Sequence, residues 1–307
     1  MTTEETMEQI VLGAISLGLL WSIMTLGVYI SYRVLDVADL TVEGSITLGA
    51  AVCARMISTG NDPFLALLIA FAGGTAAGLI TGLLHTKLRI PVLLSGILTM
   101  IALYSVNLRV MGMANISMLR MTTAYSLIGT LLGVSKTVSV IILGGLMALA
   151  IVFILYWFFG TEIGSAIRAT GNNPYMVRAQ GVNTDSTIII GLMLANGLVA
   201  LSGGLIAQSQ NYADVQMGTG SIVIGLASLI IGEVLFGKRS FKSRLLSMLF
   251  GAITYRIIIA LVLRLGMPAD DLKLFTALTV ALALSLPRFK DLRDTLKVSL
   301  SGRKSHA

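Results

Sequence analysis

The sequence predicts an all-α integral membrane protein. Only 12% of its 307 residues are charged and 55% are hydrophobic, and the mean hydropathy is +0.88. A soluble globular domain has about a quarter of its residues charged. The apolar runs are mostly about 20 residues long, which is the length that crosses a bilayer as an α-helix, and none has the ten-residue alternation of a membrane β-barrel.

We expect about nine transmembrane helices, with a range of eight to ten, in one membrane domain that covers residues 1–307. The apolar segments lie at roughly 10–32, 40–57, 63–85, 90–109, 137–159, 188–208, 218–236, 244–264 and 273–287. The N-terminus, MTTEETMEQI, is acidic where a signal peptide is basic, so the first segment is predicted to be a retained span. The single cysteine, Cys53, lies in an apolar run, which argues against a disulfide framework and a thiolate metal site.

The distribution of Lys and Arg predicts the orientation of the chain. With the C-terminus in the cytoplasm, fifteen of the 22 basic residues fall on the cytoplasmic side, including those of a basic tail at 288–307, and five fall outside. Such an excess is the usual topology signal, so the net charge of +7 needs no nucleic acid partner. Nine crossings place the acidic N-terminus outside, although one broken segment would reverse that step.

The longest polar interruption, 160–187, reads GTEIGSAIRATGNNPYMVRAQGVNTDST. Glu162 to Thr170 can form a short amphipathic helix. Gly171, Asn172 and Asn173 tolerate left-handed backbone, and Pro174 disfavours helical geometry in the residue before it. A second short helix is predicted from Tyr175 to about Gln180, ending at Gly181. This segment is predicted to be a cytoplasmic helix–turn–helix on which another subunit acts, with a solvated loop as the alternative.

Two polar stretches are awkward as simple helices. VLDVADLTVEGS at 34–45 and NYADVQMGTGS at 211–221 share an Ala-Asp followed by Gly-Ser-Ile, offset by one residue. Five crossings separate them, so they are predicted to lie at opposite faces of the membrane, as in an inverted repeat whose broken or re-entrant segments border a transport pathway. Coincidence over a dozen residues is the alternative. We assign the pathway to these residues: Asp39, Thr41, Glu43, Ser45, Asn196, Asp214 and Ser221.

Other polar residues lie inside apolar runs. Arg256 is in the middle of the eighth segment and requires a partner, for which Glu233 is the nearest acidic candidate by sequence. We expect a structural ion pair between them, with a substrate contact of Arg256 as the alternative. Three more polar side chains, Thr47, Ser95 and Asn107, suit either a pore lining or helix–helix hydrogen bonds, and Gly74, Gly78 and Gly82 share one helical face that suits close packing.

No catalytic or metal site is expected. GEVLFGK at 232–238 has nearly the spacing of a phosphate-binding loop, but Arg239 stands where Ser or Thr would hold magnesium, and the stretch ends an apolar span. His85 and His306 have no grouping of metal ligands or nucleophile around them. The chain is therefore not expected to be an enzyme, and active transport would draw on an ion gradient or on a partner that hydrolyses ATP.

Three stretches resemble the membrane-spanning permeases of bacterial ABC importers, in the group of branched-chain amino acid and ribose-type sugar permeases. DLTVEGS at 39–45 is similar to the DLSVGS element of the sugar permeases, with Glu43 extra. GSAIRATGNNPYMVRAQGVN resembles the cytoplasmic segment that contacts the ATPase. GLASLIIGEVLFG at 225–237 resembles a late Gly-rich stretch, although Glu233 stands where small residues are usual. The resemblance covers about residues 15 to 287 and is closer to a branch associated with uptake of amino acids, including aromatic ones.

This resemblance implies a multi-pass protein of the bacterial inner membrane. Its expected partners are cytoplasmic ABC ATPase subunits, which hold ATP and Mg²⁺, an extracellular solute-binding lipoprotein, membrane lipid and a second permease chain, most simply in a homodimer. No cofactor is expected on this chain. The expected ATPase contacts are Arg168, Gly171, Asn172, Asn173 and Pro174. Gly171→Val is predicted to leave the protein folded and to uncouple ATP hydrolysis from uptake.

Two rival functions remain at this point. A secondary transporter of a small polar solute would couple to protons or sodium through Asp36, Asp39 or Glu43, but it needs acids at mid-membrane, and these three are expected near the inner interface. A membrane scaffold or sensor would be expected to carry a soluble domain. The sequence leaves the transported substrate open, because the spans contain no cluster of cations or aromatic residues that would define it.

Overall fold

The computed structural model describes residues 3–237, 240–266, 268, 271, 274–278 and 281. In chain order the helices and strands are α1 (Thr3–Tyr29), a π-helical turn (Ile30–Val34), α2 (Thr41–Ser58), α3 (Pro63–Thr86), α4 (Val92–Met111), β1 (Asn115–Ser117), α5 (Ala124–Leu132), α6 (Lys136–Phe158), α7 (Glu162–Asn172), α8 (Pro174–Ala179), α9 (Thr184–Gln210), β2 (Tyr212–Asp214), α10 (Ser221–Phe236) and α11 (Phe241–Arg264). Residues 274–278 are also helical. The all-α prediction is confirmed except for the two three-residue strands.

Six helical stretches in the described part of the chain are long and apolar enough to cross a membrane. They are Met7–Val34, Pro63–Thr86, Val92–Met111, Lys136–Phe158, Thr184–Gln210 and Phe241–Arg264. Eight of the nine predicted segments correspond to helices, but α2 carries polar residues and α10 has only 16 residues. Most of the ninth segment, 273–287, and the basic tail lie outside the described residues. The chain is a multi-pass membrane protein, and the predicted count of nine spans is not confirmed.

Helix α9 is the centre of the packing, with α1, α2 and α3 around it. The glycine stripe on α3 allows the closest approach. A methyl group at Gly74 would meet the carbonyl oxygen of Asn196, and one at Gly78 would meet that of Leu192. Gly82 continues the contact at Ile189. The predicted close-packing role of this stripe is confirmed, and the contact fixes the height of Asn196 inside the bundle.

The two ends of the bundle differ. One end carries α7 and α8, together with the basic residues Arg33 and Arg244, which line one cleft with Arg168. The opposite end carries a small antiparallel sheet in which Asn115 pairs with Asp214. The sheet joins the α4–α5 and α9–α10 connections, and neither it nor α5 was predicted. We call these ends the α7–α8 end and the sheet end.

Two helices begin at breaks inside the bundle. After the π-helical turn, Asp36 takes a left-handed conformation at φ 57°, and the chain then runs to Thr41, where α2 starts. Beyond β2, a series of tight turns leads to Gly220 at φ 80°, directly before α10. The predicted breaks are therefore present. The inverted repeat stays a prediction, because the matched Asp-to-Ser stretches differ in structure: Ser45 is inside α2, whereas Ser221 begins α10.

Candidate functional site

The segment between α6 and α9 forms two short helices, as predicted. Thr161 caps α7 by accepting a hydrogen bond from the Gly164 amide. Asn173 caps α8 through its side-chain oxygen, which accepts from the Met176 amide at 3.1 Å, and Pro174 is the first residue of that helix. Proline suits this first position because no intrahelical hydrogen bond is lost there. The corner between the two helices therefore lies at Asn173 and Pro174.

Gly171 has a different role from the predicted one. It lies within α7 and is not a left-handed turn residue; α7 continues through Asn172. A methyl group at Gly171 would overlap the carbonyl oxygen of Val34 and lie 2.8 Å from Cα of Leu35. The glycine is thus required because α7 touches the backbone at the end of the π-helical turn. A side chain at this position must displace backbone, and the expectation that Gly171→Val leaves the protein folded but uncouples ATP hydrolysis from uptake stays a prediction.

Arg168 and Asn172 line a cleft of about 900 Å³ beside α7. The Arg168 guanidinium lies 4.7 Å from the centre of the Phe241 ring, at the start of α11. Arg33 and Arg244 line the same cleft. Cations stacked on an aromatic face keep their charge while their position is fixed. The cleft is therefore a basic recess between α7 and the ends of α1 and α11.

The outer surface of α7 and α8 is apolar in three places. Tyr175 is 79% exposed, Ile163 53% and Met176 52%. At the same time Thr170 and Thr187 share a hydrogen bond of 2.8 Å that ties α7 to α9. Large apolar side chains exposed on helices that are tied to the rest of the bundle are typical of a protein–protein contact.

Four of the predicted pathway residues form a closed polar cluster. Asn196 donates from Nδ2 to Asp39 Oδ2 at 2.7 Å, and Ser45 donates to Asn196 Oδ1 at 2.7 Å. The Thr41 amide donates to Asp39 Oδ1 at 2.9 Å, and the Thr41 hydroxyl shares a hydrogen bond with Thr81. All are at most 2% exposed. The cluster fixes the start of α2 against α9 and α3, and it lines none of the described clefts.

The depth of Asp39 differs from the prediction. Asn196 lies thirteen residues along α9 from its Asn183 cap, which is roughly 20 Å at 1.5 Å per residue. Asp39, hydrogen-bonded to it, is therefore well inside the bundle and not near the end of a span. The break after α1 runs inward to that depth, which the hydropathy pattern alone does not reveal.

Glu43 joins the two breaks. Its Oε1 accepts a hydrogen bond from the Gly220 amide at 3.0 Å, so the first turn of α2 contacts the residue that precedes α10. Glu43 also lines a cleft of about 410 Å³ with Thr47, Tyr104 and Asn107. Two predicted pathway residues remain. Asp214 lies at the sheet end and accepts from the Gln216 amide, and Ser221 is buried, with no described residue hydrogen-bonded to its hydroxyl.

The predicted Glu233–Arg256 pair is not formed. Glu233 instead binds Arg33, with Nε to Oε1 at 2.9 Å and Nη2 to Oε2 at 2.5 Å. Gly232 packs against Ser247 of α11, and Arg256 is nine residues further along that helix, about 13 Å higher. The Arg256 guanidinium lies 4.1 Å from the centre of the Trp21 ring, and its buried Nε donates to no acceptor among the described residues. This difference in height along the bundle explains why the predicted pair does not form.

Comparison with known proteins agrees with this arrangement. Residues 10–284 match the family described as the permease component of the branched-chain amino acid transport system. The chain belongs to this permease family. It is 41% identical over 274 residues, 88% of each chain, to the tyrosine transport system permease protein of Clostridioides difficile (strain R20291). No solved structure is significantly similar to it.

Further relatives match at lower identity. The permease is 35% identical over 287 residues, 92% of this chain and 99% of the relative, to an uncharacterised protein of Rickettsia prowazekii (strain Madrid E). It is 26% identical over 221 residues, 70% of this chain and 66% of the relative, to the ribose import permease of Escherichia coli (strain K12). The resemblance to the branched-chain and ribose-type group of ABC importer permeases is thereby confirmed.

The described part of the permease contains no group of three or more His, Cys, Asp or Glu side chains able to hold a metal ion. His85 makes a hydrogen bond at Nδ1 with the Ile90 carbonyl. The described residues form two candidate binding regions. One is the surface of α7 and α8 with its exposed apolar side chains, and the other is the polar cleft at Glu43, where the two breaks meet.

Proposed function

We propose that this permease forms the translocation pathway of an ATP-binding-cassette importer and is driven by separate ATPase subunits that dock on α7 and α8. One observation carries the proposal: Ile163, Tyr175 and Met176 expose large apolar side chains on helices that are tied to the bundle. These helices lie at the end where the basic residues Arg33, Arg168 and Arg244 line one cleft. Under the positive-inside rule that end faces the cytoplasm, where ATP is available.

The contacts behind α7 supply a route for motion. Gly171 touches Val34 and Leu35, and the chain runs from there through Asp39 into α2. A push on α7 therefore acts directly on the break that positions α2 and Glu43. The Thr170–Thr187 hydrogen bond carries the same push to α9. Closure of an ATPase dimer would in this way change the pathway at the centre of the bundle, as alternating access requires.

An amino acid is the proposed substrate. The support is the similarity to a tyrosine transport permease, which is stronger and covers more of both chains than the similarity to a ribose permease. The same proposal includes two further partners. A solute-binding lipoprotein docks at the sheet end, outside the cell. A second copy of the chain completes the pathway in the bacterial inner membrane. ATP and Mg²⁺ belong to the ATPase, and the C-terminus is cytoplasmic.

The test is purification of the tagged permease from its native membrane in mild detergent, with identification of co-eluting proteins and an assay of ATP hydrolysis. A stoichiometric ATP-hydrolysing partner is expected. Tyr175→Ala should reduce its recovery about tenfold or more, since buried tyrosines are frequent interface hot spots. Tyr212→Ala, a matched change at the sheet end, should leave the recovery unchanged.

The proposed function would be wrong if the permease were an ion-driven transporter. In that case no ATP-hydrolysing partner co-elutes with the folded chain, and uptake stops when the ion gradient is dissipated at constant ATP. The buried position of Asp39 makes this comparison necessary, because a carboxylate at such depth is what an ion-coupled transporter requires.

A further inference from the structure

The cleft at Glu43 holds hydrogen-bond acceptors without matching donors. Asn107 is 1% exposed, and its Nδ2 donates to the Gly44 carbonyl oxygen at 3.2 Å. Since that carbonyl can only accept, the amide nitrogen must face it, and Oδ1 is the atom left over. Oδ1 is buried and accepts no hydrogen bond from any described residue. Such an orphaned acceptor costs free energy unless a donor reaches it, so the site is poised for a ligand with N–H or O–H groups.

Glu43 adds a charge to the same cleft. Its Oε1 accepts from the Gly220 amide, while no donor among the described residues binds Oε2, and no described Lys or Arg forms an ion pair with this carboxylate. The N-termini of α2 and α10 both point to it and favour its negative charge. A half-buried carboxylate without a counter-charge among the described residues attracts a cation.

The other residues that line the cleft favour an organic cation over a metal ion. Tyr104, half exposed, lies on one side with Met100 and Ile101, and the hydroxyls of Ser105 and Thr219 lie nearby. A bare metal ion would prefer several oxygen ligands, whereas an aromatic ring and an apolar wall suit an organic ammonium group. The volume of about 410 Å³ is within the range of small-molecule sites.

We propose that this cleft binds the ammonium group of the transported amino acid, with Glu43 Oε2 and Asn107 Oδ1 accepting its hydrogen bonds and the Tyr104 ring beside it. The proposal rests on the proposed amino acid substrate and makes Glu43 a specificity residue for a cationic nitrogen. A sugar, which has no positive charge, would leave the carboxylate unpaired, so the cleft discriminates against it.

The first experiment tests the charge of the cleft without any partner protein. Ser105→Cys in proteoliposomes is labelled with methanethiosulfonate ethylammonium and with methanethiosulfonate ethylsulfonate, each rate being normalised to a free thiol. The wild-type chain is the blank because its single cysteine, Cys53, is fully buried. The cationic reagent should react roughly tenfold faster or more. Adding Glu43→Gln should remove most of that preference, whereas Asp62→Asn, an exposed cap at the sheet end, should preserve it.

The second experiment measures transport by the complete importer. Glu43→Gln keeps an oxygen for the Gly220 amide and should lower amino acid uptake about tenfold or more, while the ATPase still co-elutes. Equal labelling by the two reagents, no labelling at all, or a preference that survives Glu43→Gln would overturn the proposal. A charge-selective cleft in a chain without an ATP-hydrolysing partner would instead refute the proposed function and leave the cation site standing.

Discussion

Asn196 binds Asp39 by a hydrogen bond of 2.7 Å between Nδ2 and Oδ2, joining the middle of α9 to the break that precedes α2. The same amide accepts from Ser45 at its Oδ1. One buried side chain thereby holds both the approach to α2 and its second turn. Since an unpaired carboxylate at this depth is costly, the position of α2 depends on this contact.

Asn196→Leu tests that dependence. The change keeps about the same volume but leaves Asp39 Oδ2 and the Ser45 hydroxyl without their partner, which should cost about 1–3 kcal/mol. The measurement is the temperature at which half of the purified protein remains monodisperse in detergent, which should fall. Gln216→Leu, a change at an exposed amide side chain in the turns after β2, should change stability by less than about 0.5 kcal/mol. Equal effects of the two changes would contradict the structural role of the cluster.

Gly171→Ala should loosen α7 from the end of α1. The added methyl overlaps the Val34 carbonyl oxygen, and overpacking of this kind costs about 1–3 kcal/mol. Faster hydrogen exchange is expected in 34–40 and 162–172, together with weaker coupling of ATP hydrolysis to uptake. Gly13→Ala is the matched control, because a methyl group at Gly13 of α1 meets nothing within 4 Å. Unchanged exchange in both segments would show that α7 is not seated on α1.

Two double-mutant cycles distinguish the observed ion pair from the one predicted from sequence. Arg33→Gln with Glu233→Gln should give a coupling free energy of about 1–2 kcal/mol, since the pair is bidentate but the Arg33 side chain is 42% exposed. Arg256→Gln with Glu233→Gln should give a coupling near zero. Stability in detergent is again the measurement. A larger coupling in the second cycle would place the partner of Glu233 at Arg256 after all.

Local sequence patterns predict the helices, but they do not predict contacts between segments that are distant along the chain. The helix–turn–helix at 160–187 follows from Pro174, Asn173 and the flanking apolar runs, all of which act within a few residues. The Arg33–Glu233 pair joins positions 200 residues apart, and only the packing of α1 beside α10 brings them together. Arg33, at the end of the first apolar run, belongs to the basic residues whose distribution predicts the topology, and an arginine there is also a candidate partner for an acid at the same end of another span.

The same limit applies to the candidate site. The polar break before α2 predicted a role for Glu43, and Asn107 was recognised as a polar residue within a span. Their meeting with Tyr104 in one cleft depends on the crossing of α2 and α4, which hydropathy does not encode. Likewise Gly171 was assigned to a turn from its neighbours in sequence, whereas its role comes from Val34, far away along the chain.

Arg256→Met should leave the protein at least as stable as the wild type. Arg256 contacts the Trp21 ring, but its Nε is buried without a hydrogen bond, and no carboxylate in the described parts of the chain forms an ion pair with it. Placing an arginine at the centre of a membrane helix costs about 2.5–3.5 kcal/mol on insertion scales, whereas the lost cation–π contact is worth about 0.5–2 kcal/mol. Methionine keeps a flexible stem against the indole. The measurement is thermal stability in detergent and in lipid nanodiscs. The control is Arg264→Met, because Arg264 is exposed at the end of α11 and its replacement should change the stability little. A loss of more than about 1 kcal/mol in Arg256→Met would mean that the guanidinium stabilises the bundle through the Trp21 contact more than its burial costs.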